Sequence, residues 1–170
     1  MKGKVNNIGI GQINDRADIE DLNLAQDAGF MTDDKLYTIG YGNRKPDELI
    51  KILKDAGVRF IIDVRRHDSG ARLYQYRPGE PIQKLLNEHG IGYEHWSFYG
   101  NYFRNDWPQQ YKRFLHRNRE QINISIDDIF AIGKPTCLLC AEIDHAKCHR
   151  SILADKLAEI LGDDWKVVHL

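Results

Sequence analysis

Residues 35–64 read KLYTIGYGNRKPDELIKILKDAGVRFIIDV, and the grammar of this stretch decides the fold. Its opening, KLYTIG, is a short apolar run ending in glycine, which suits a buried strand entering a turn. A helix follows: Pro46 suits the first helical position, Leu49, Ile50, Leu53 and Ala56 fall on one face, and Gly57 suits the C-terminal cap. VRFIIDV is β-branched and apolar, the composition of a second buried strand.

The same alternation continues outward. Glu80 to Gly90 repeats the helix pattern, with Pro81 near its start and Ile82, Leu85 and Leu86 inward. IGYEHW (91–96) reads as a third strand, and Trp107 to Gln121 as a helix with Pro108 early. PTCLLCA (135–141) is a fourth strand, SILADKLAEILG (151–162) a closing helix and WKVVHL (165–170) a last strand. Strands alternating with amphipathic helices imply an α/β fold over residues 35–170, a single domain with a mainly parallel central sheet flanked by helices on both faces. Right-handed crossovers then carry the loops that follow the strands to one common edge. His67 to Gly79 has no strong periodicity and is expected to form a long loop. Residues 1–34 form an N-terminal extension. There NIGIGQ and DIEDLNLAQDAG echo TIGYGN and DELIKILKDAG, as a degenerate repeat or as chance similarity between two strand–turn–helix units.

A chain of 170 residues suits one well-cored domain. With 24 basic against 25 acidic side chains, the molecule as a whole offers no field to attract nucleic acid, so any such attraction needs a local patch. No apolar run reaches membrane-spanning length, and the first residues lack the apolar core of a secretory signal. Three cysteines cannot all pair within one chain, so a reduced, cytoplasmic protein without a membrane partner is expected.

Residues that carry chemistry gather at the strand ends. Gly40 and Gly42 in TIGYGNR would let a backbone approach a ligand at a helix start, where unpaired amides favour anions. Lys45 stands where a dinucleotide G-x-G-x-x-G needs its third glycine, so a plain tight turn explains the pair as well, and no cofactor is indicated. Asp63, at the end of an apolar strand with Arg65 just beyond, is either a catalytic carboxylate or half of a structural ion pair, because a buried acid needs a partner. The stretch CAEIDHAKCHR (140–150) is the strongest signal. Cys137 and Cys140 form C-x-x-C, but a strand points them to opposite faces, so both read as small buried residues and no metal site is expected. Cys148 is expected at a helix start beside His149 and Arg150, which favours its thiolate as a nucleophile. In the alternative, Cys148 packs under the helix while Glu142, His149 and Arg150 face a ligand. An arginine six positions after the cysteine would suggest a phosphatase loop, but here it comes after two.

One segment interleaves cations with aromatics: Arg104, Lys112, Arg113, Arg117 and Arg119 alternate with Tyr102, Phe103, Trp107, Tyr111 and Phe114. Such a pattern either binds single-stranded nucleic acid or is a solvated basic face over core aromatics.

From about Lys35 onward the chain resembles the family catalogued as domain of unknown function 488. The likeness rests on TIGYGNR (38–44), IIDVRR (61–66), GIGYEHW (90–96), CLLCAEIDHAKCHRSILADKL (137–157) and the closing VVHL. It implies a compact α/β domain and a shared polar site comprising Gly40, Asn43, Arg44, Asp63, Arg65, Glu142, Cys148, His149 and Arg150. It supplies no reaction. A weaker analogy to sulfur-transferring rhodanese domains lacks their compact cysteine-to-arginine loop.

Three functions compete on this basis. The first is an enzyme acting on a phosphate-bearing substrate, a nucleic acid or nucleotide, in which Arg44, Arg65 and Arg150 hold phosphate, Asp63 or Glu142 serves as base and His149 shuttles protons. The second is a nucleic-acid-binding module built on residues 102–119, and the third is thiol or sulfur chemistry at Cys148.

Overall fold

The computed structural model describes residues 34–67 and 70–170, so the expected extension over 1–34 lies, but for Asp34, outside the described residues. Five strands form one sheet: β1 (Lys35–Gly40), β2 (Phe60–Asp63), β3 (Gly92–His95), β4 (Thr136–Cys140) and β5 (Lys166–His169). Their order is β3-β2-β4-β1-β5 and every pairing is parallel. Five α-helices connect them: α1 (Pro46–Asp55), α2 (Glu80–Asn87), α3 (Trp107–Arg117), α4 (Arg119–Ile132) and α5 (His149–Leu161). The α/β class and the parallel sheet expected from the sequence are those observed.

The connections sort the helices onto two faces. On the first, Leu49, Ile50 and Leu53 of α1 and Ile82 and Leu86 of α2 pack on Tyr37, Ile39, Ile61, Cys137 and Leu139. On the second, Tyr111 and Leu115 of α3, Ile122, Ile126 and Ile129 of α4 and Leu153, Ala154 and Leu157 of α5 pack on Leu36, Ile62, Val64 and Leu138. Strand parity makes this division, since neighbours along a strand point to opposite faces. Each fully buried leucine of the two layers contributes roughly 1.5–3 kcal/mol relative to exposure.

Two elements differ from the sequence reading. The helix expected over Trp107–Gln121 is two helices broken at Asn118, whose φ of −112° and ψ of 38° leave helical space and whose side-chain amide caps the Phe114 carbonyl at 2.7 Å. The second of these, α4, escapes a propensity argument because REQINISIDDIFAI is rich in β-branched and short polar residues, and its exposed Ile124 and Phe130 blur the apolar stripe. Burial of Ile122, Ile126 and Ile129 overrides that preference. Within the expected loop after His67, a 3-10 turn over Tyr74–Tyr76 buries Tyr76 against the first core.

Adjacent strands whose connections depart in opposite directions leave a crevice at their carboxyl ends. Here those neighbours are β2, which leads through α2 to β3, and β4, which leads through α5 to β5. Asp63 pairs with Leu139 in the register, and the Val64 amide donates to the Leu139 carbonyl at 3.0 Å, so Val64 and Cys140 lie side by side at this switch point.

Candidate functional site

The sheet divides the candidate residues into two groups. Asp63 follows the parity of Ile61 and points to the first face, whereas Cys140 follows Leu138 and points to the second.

On the first face Asp63 and Arg65 hold each other. Asp63 Oδ1 accepts the Arg65 backbone amide at 3.1 Å and its Nε at 2.8 Å, and Oδ2 accepts Arg65 Nη2 at 2.5 Å and the Tyr93 hydroxyl at 3.0 Å. Arg65 Nη1 donates to the Tyr76 carbonyl at 2.6 Å, and the guanidinium lies 4.9 Å from the centre of the Tyr41 ring. Both side chains are sealed from solvent, at 0% and 2% exposure. Burial opposes the Arg65 charge, but the bonded Asp63 carboxylate outweighs it and holds the guanidinium above its usual value. Burial and the same carboxylate push the Tyr93 phenol up. This geometry is that of a closed structural knot, with Tyr76 and Tyr93 as members that the sequence reading did not include.

On the second face Cys140, Cys148 and His149 converge, their ligand atoms all within 4.8 Å of one another. β4 ends at Cys140, and Cys148 is the residue preceding α5, in extended conformation at φ −121°. His149 opens the helix, and its Nε2 lies 2.9 Å from the Val64 carbonyl. A carbonyl only accepts, so Nε2 carries a proton, and the tautomer protonated there alone turns its Nδ1 lone pair toward the sulfurs. Nδ1 stands 3.9 Å from Cys148 Sγ and 4.0 Å from Cys140 Sγ. The Tyr111 ring meets the imidazole edge-on at 5.3 Å and excludes water from that side. Cys140, Cys148 and His149 are all buried, at exposures of 6%, 4% and 8%.

The two thiols are not equivalent. The hydrogen bond with Cys148, and the backbone amides of Glu142 and Ala141, hold the Cys140 thiol below its usual range despite its burial. The same hydrogen bond and its own burial push the Cys148 thiol up. Cys140 is thereby lowered and Cys148 raised, so the nucleophile expected at Cys148 has a rival in Cys140. Cys137 sits on the other face, wholly buried, and its thiol is pushed far up by burial.

The remaining candidates are placed as follows. The space above Gly40 and Gly42 is occupied by the chain's own loop: a Cβ on Gly40 would lie 1.9 Å from the Glu142 carbonyl oxygen, and one on Gly42 would lie 1.9 Å from Ile143 Cγ1. Arg150 is fully buried and donates to the carbonyls of Glu142 and Ile143, while its Nε has no partner. The Glu142 side chain is exposed. Arg44 is half-buried and donates to the Gly40 carbonyl at 2.9 Å, and Asn43 is exposed. Arg104, Lys112, Arg113 and Arg117 are exposed, whereas Tyr111 is core and Phe103, Trp107 and Phe114 pack against it. A groove of about 420 Å³ between α3 and α5 mixes Lys112, His116 and Lys156 with Asp155 and Glu159. Among the described residues, Cys140, Cys148 and His149 are the one group with the donor types and spacing to hold a metal ion. Two sulfurs and an imidazole suit a thiophilic cation, but a structural zinc site takes a fourth protein ligand.

The molecule is thus a parallel α/β domain with a cysteine–histidine cluster at the switch point of its sheet. The chain belongs to the family described as Domain of unknown function DUF488, whose model matches residues 45–157. That span contains Asp63, Cys140, Cys148, His149 and Arg150, and it begins just after TIGYGNR. No curated protein and no solved structure matches the chain.

Proposed function

We propose that the chain is a thiol-dependent enzyme in which Cys140 is the nucleophile, His149 the proton acceptor and Cys148 the second thiol. One observation carries this reading: two sulfurs face the same imidazole lone pair, and a hydrogen bond to Val64 fixes that ring from behind. A nucleophile beside a base, with the base oriented by a third group, is the arrangement covalent catalysis requires. The Arg150 guanidinium adds a buried positive charge that favours the anionic sulfur.

The phosphate-substrate reading has less support. It needs free guanidinium donors, yet those of Arg65 are spent on Asp63 and Tyr76, and Arg150 is turned toward two carbonyls. Its proposed cradle over Gly40 and Gly42 is filled by residues 142–143. The nucleic-acid reading keeps its exposed cations, but most of its aromatics are in the core, which leaves Tyr102, stacked with Arg66 at 4.8 Å, as a base-stacking platform.

The test is alkylation of the reduced full chain with iodoacetamide at neutral pH, followed by peptide mapping. Cys140 is expected to label first, and Cys140→Ser to remove the fast phase while Cys137→Ala preserves it. Equal, slow labelling of all three thiols would end the proposal. So would a stoichiometric metal that blocks labelling until a chelator removes it, which would make the cluster a metal site.

A further inference from the structure

We infer that a small hydroperoxide oxidises this pair to a Cys140–Cys148 disulfide. The inference rests on Cys140 being the nucleophile and adds a substrate class and a role for the second thiol.

Three observations bear on it. First, the two sulfurs belong to one cluster within 4.8 Å, although the residues lie eight positions apart and on different elements. A strand end and a helix start bring them together, and the loop between them closes on itself. Arg150 ties the Glu142 and Ile143 carbonyls, and the Asp144 carboxylate accepts the Ala146 amide at 3.1 Å. Second, both residues are buried, at 6% and 4% exposure, which disfavours the in-line approach that a bulky disulfide needs at sulfur and makes a small hydroperoxide the oxidant class to test. Third, one imidazole nitrogen is equally near both sulfurs, so the base that takes the Cys148 proton already stands beside the Cys140 leaving group. Cys137 is no rival partner, because it lies on the opposite face of the sheet.

The chemistry balances in two steps. The Cys140 thiolate attacks the terminal oxygen of the hydroperoxide and the O–O bond breaks. The alkoxide leaves as an alcohol after taking a proton from solvent, and Cys140 becomes a sulfenic acid. Cys148 then gives its proton to His149 Nδ1 and attacks the Cys140 sulfur. The S–S bond forms as the S–O bond breaks, and the departing hydroxide takes the proton back from His149 and leaves as water. Two thiols are oxidised, and one peroxide is reduced to alcohol and water.

The experiment treats the reduced full chain with one equivalent of hydrogen peroxide, for which the alcohol product is water, and maps peptides with and without dimedone. Wild type is expected to yield a Cys140–Cys148 linked peptide. Cys148→Ser should stop at a dimedone adduct on Cys140, and Cys140→Ser should give neither product. His149→Gln should slow disulfide closure by about 100-fold, the contribution of a positioned base. Wild-type mapping needs no variant, so misfolding of a substituted chain cannot mask the result. Rapid alkylation of Cys140 with no linked peptide would overturn this inference and leave the thiol-enzyme reading standing. Slow alkylation of Cys140 would remove both.

Discussion

The two faces of the sheet solve the same problem in opposite ways. At the end of β2, Asp63, Arg65, Tyr76 and Tyr93 bring charge into the core and spend it, since both carboxylate oxygens and the Arg65 Nε, Nη1 and Nη2 atoms are engaged. At the end of β4, about one strand spacing away, Cys140, Cys148 and His149 gather groups whose bonding is left incomplete: a lone pair faces two sulfurs. In the first arrangement the donors and acceptors are satisfied within the protein. The second sets two sulfurs beside one imidazole nitrogen, the arrangement on which the proposed thiol chemistry rests. A cluster of polar residues at a strand edge therefore does not by itself mark an active site; what distinguishes one is bonding capacity that the fold has oriented but not used.

That contrast can be broken most forcefully at Arg65. Arg65→Ala leaves the Asp63 carboxylate buried without its partner and is expected to destabilise the domain by about 3–5 kcal/mol in urea unfolding. Replacing both residues with apolar ones of similar volume should recover most of that loss, as expected for a structural pair. A fold that tolerates Arg65→Ala but loses an activity would assign the knot to catalysis instead. Next in size is Gly40→Ala, whose new Cβ meets the Glu142 carbonyl. It should cost about 1–3 kcal/mol and, by displacing the loop that Arg150 anchors, speed labelling of Cys148. The smallest effect is expected on the basic face: Lys112→Ala and Arg113→Ala should each change stability by less than about 0.5 kcal/mol and leave thiol reactivity unaltered. A change in Cys140 labelling in either variant would connect α3's solvent face to the site.

Much of the fold was legible from strand and helix grammar. The β1–α1–β2 stretch announces itself through Pro46, the Leu49–Leu53 stripe and Gly57, because each feature is local. Helix α4 was not legible, since its isoleucines and short polar residues make a weak helix that only packing stabilises. The site was half legible. CAEIDHAKCHR contains all three residues of the proposed site, and its 140–150 spacing directs attention to Cys148 and His149. Cys140 reads from the sequence as a small buried strand residue, and it is buried; its place beside Cys148 and His149 comes only from the fold. Its partners are long-range: Val64, which orients His149, is 85 residues away along the chain. Parity held the missing clue. Cys140 shares the face of Leu138, which the last helix covers, and Cys148 begins that same helix.

The account stands on which sulfur bears the charge. Site-resolved iodoacetamide labelling of the reduced full chain across about pH 5–9 decides it, because only a thiolate reacts and the rate falls as pH drops through the group's titration. Cys140 should label first, with a midpoint below the ordinary thiol value of about 8.5, while Cys148 lags into alkaline solution and Cys137 stays unlabelled. Labelling of Cys148 ahead of Cys140, or a Cys140 midpoint at or above that value, would contradict it.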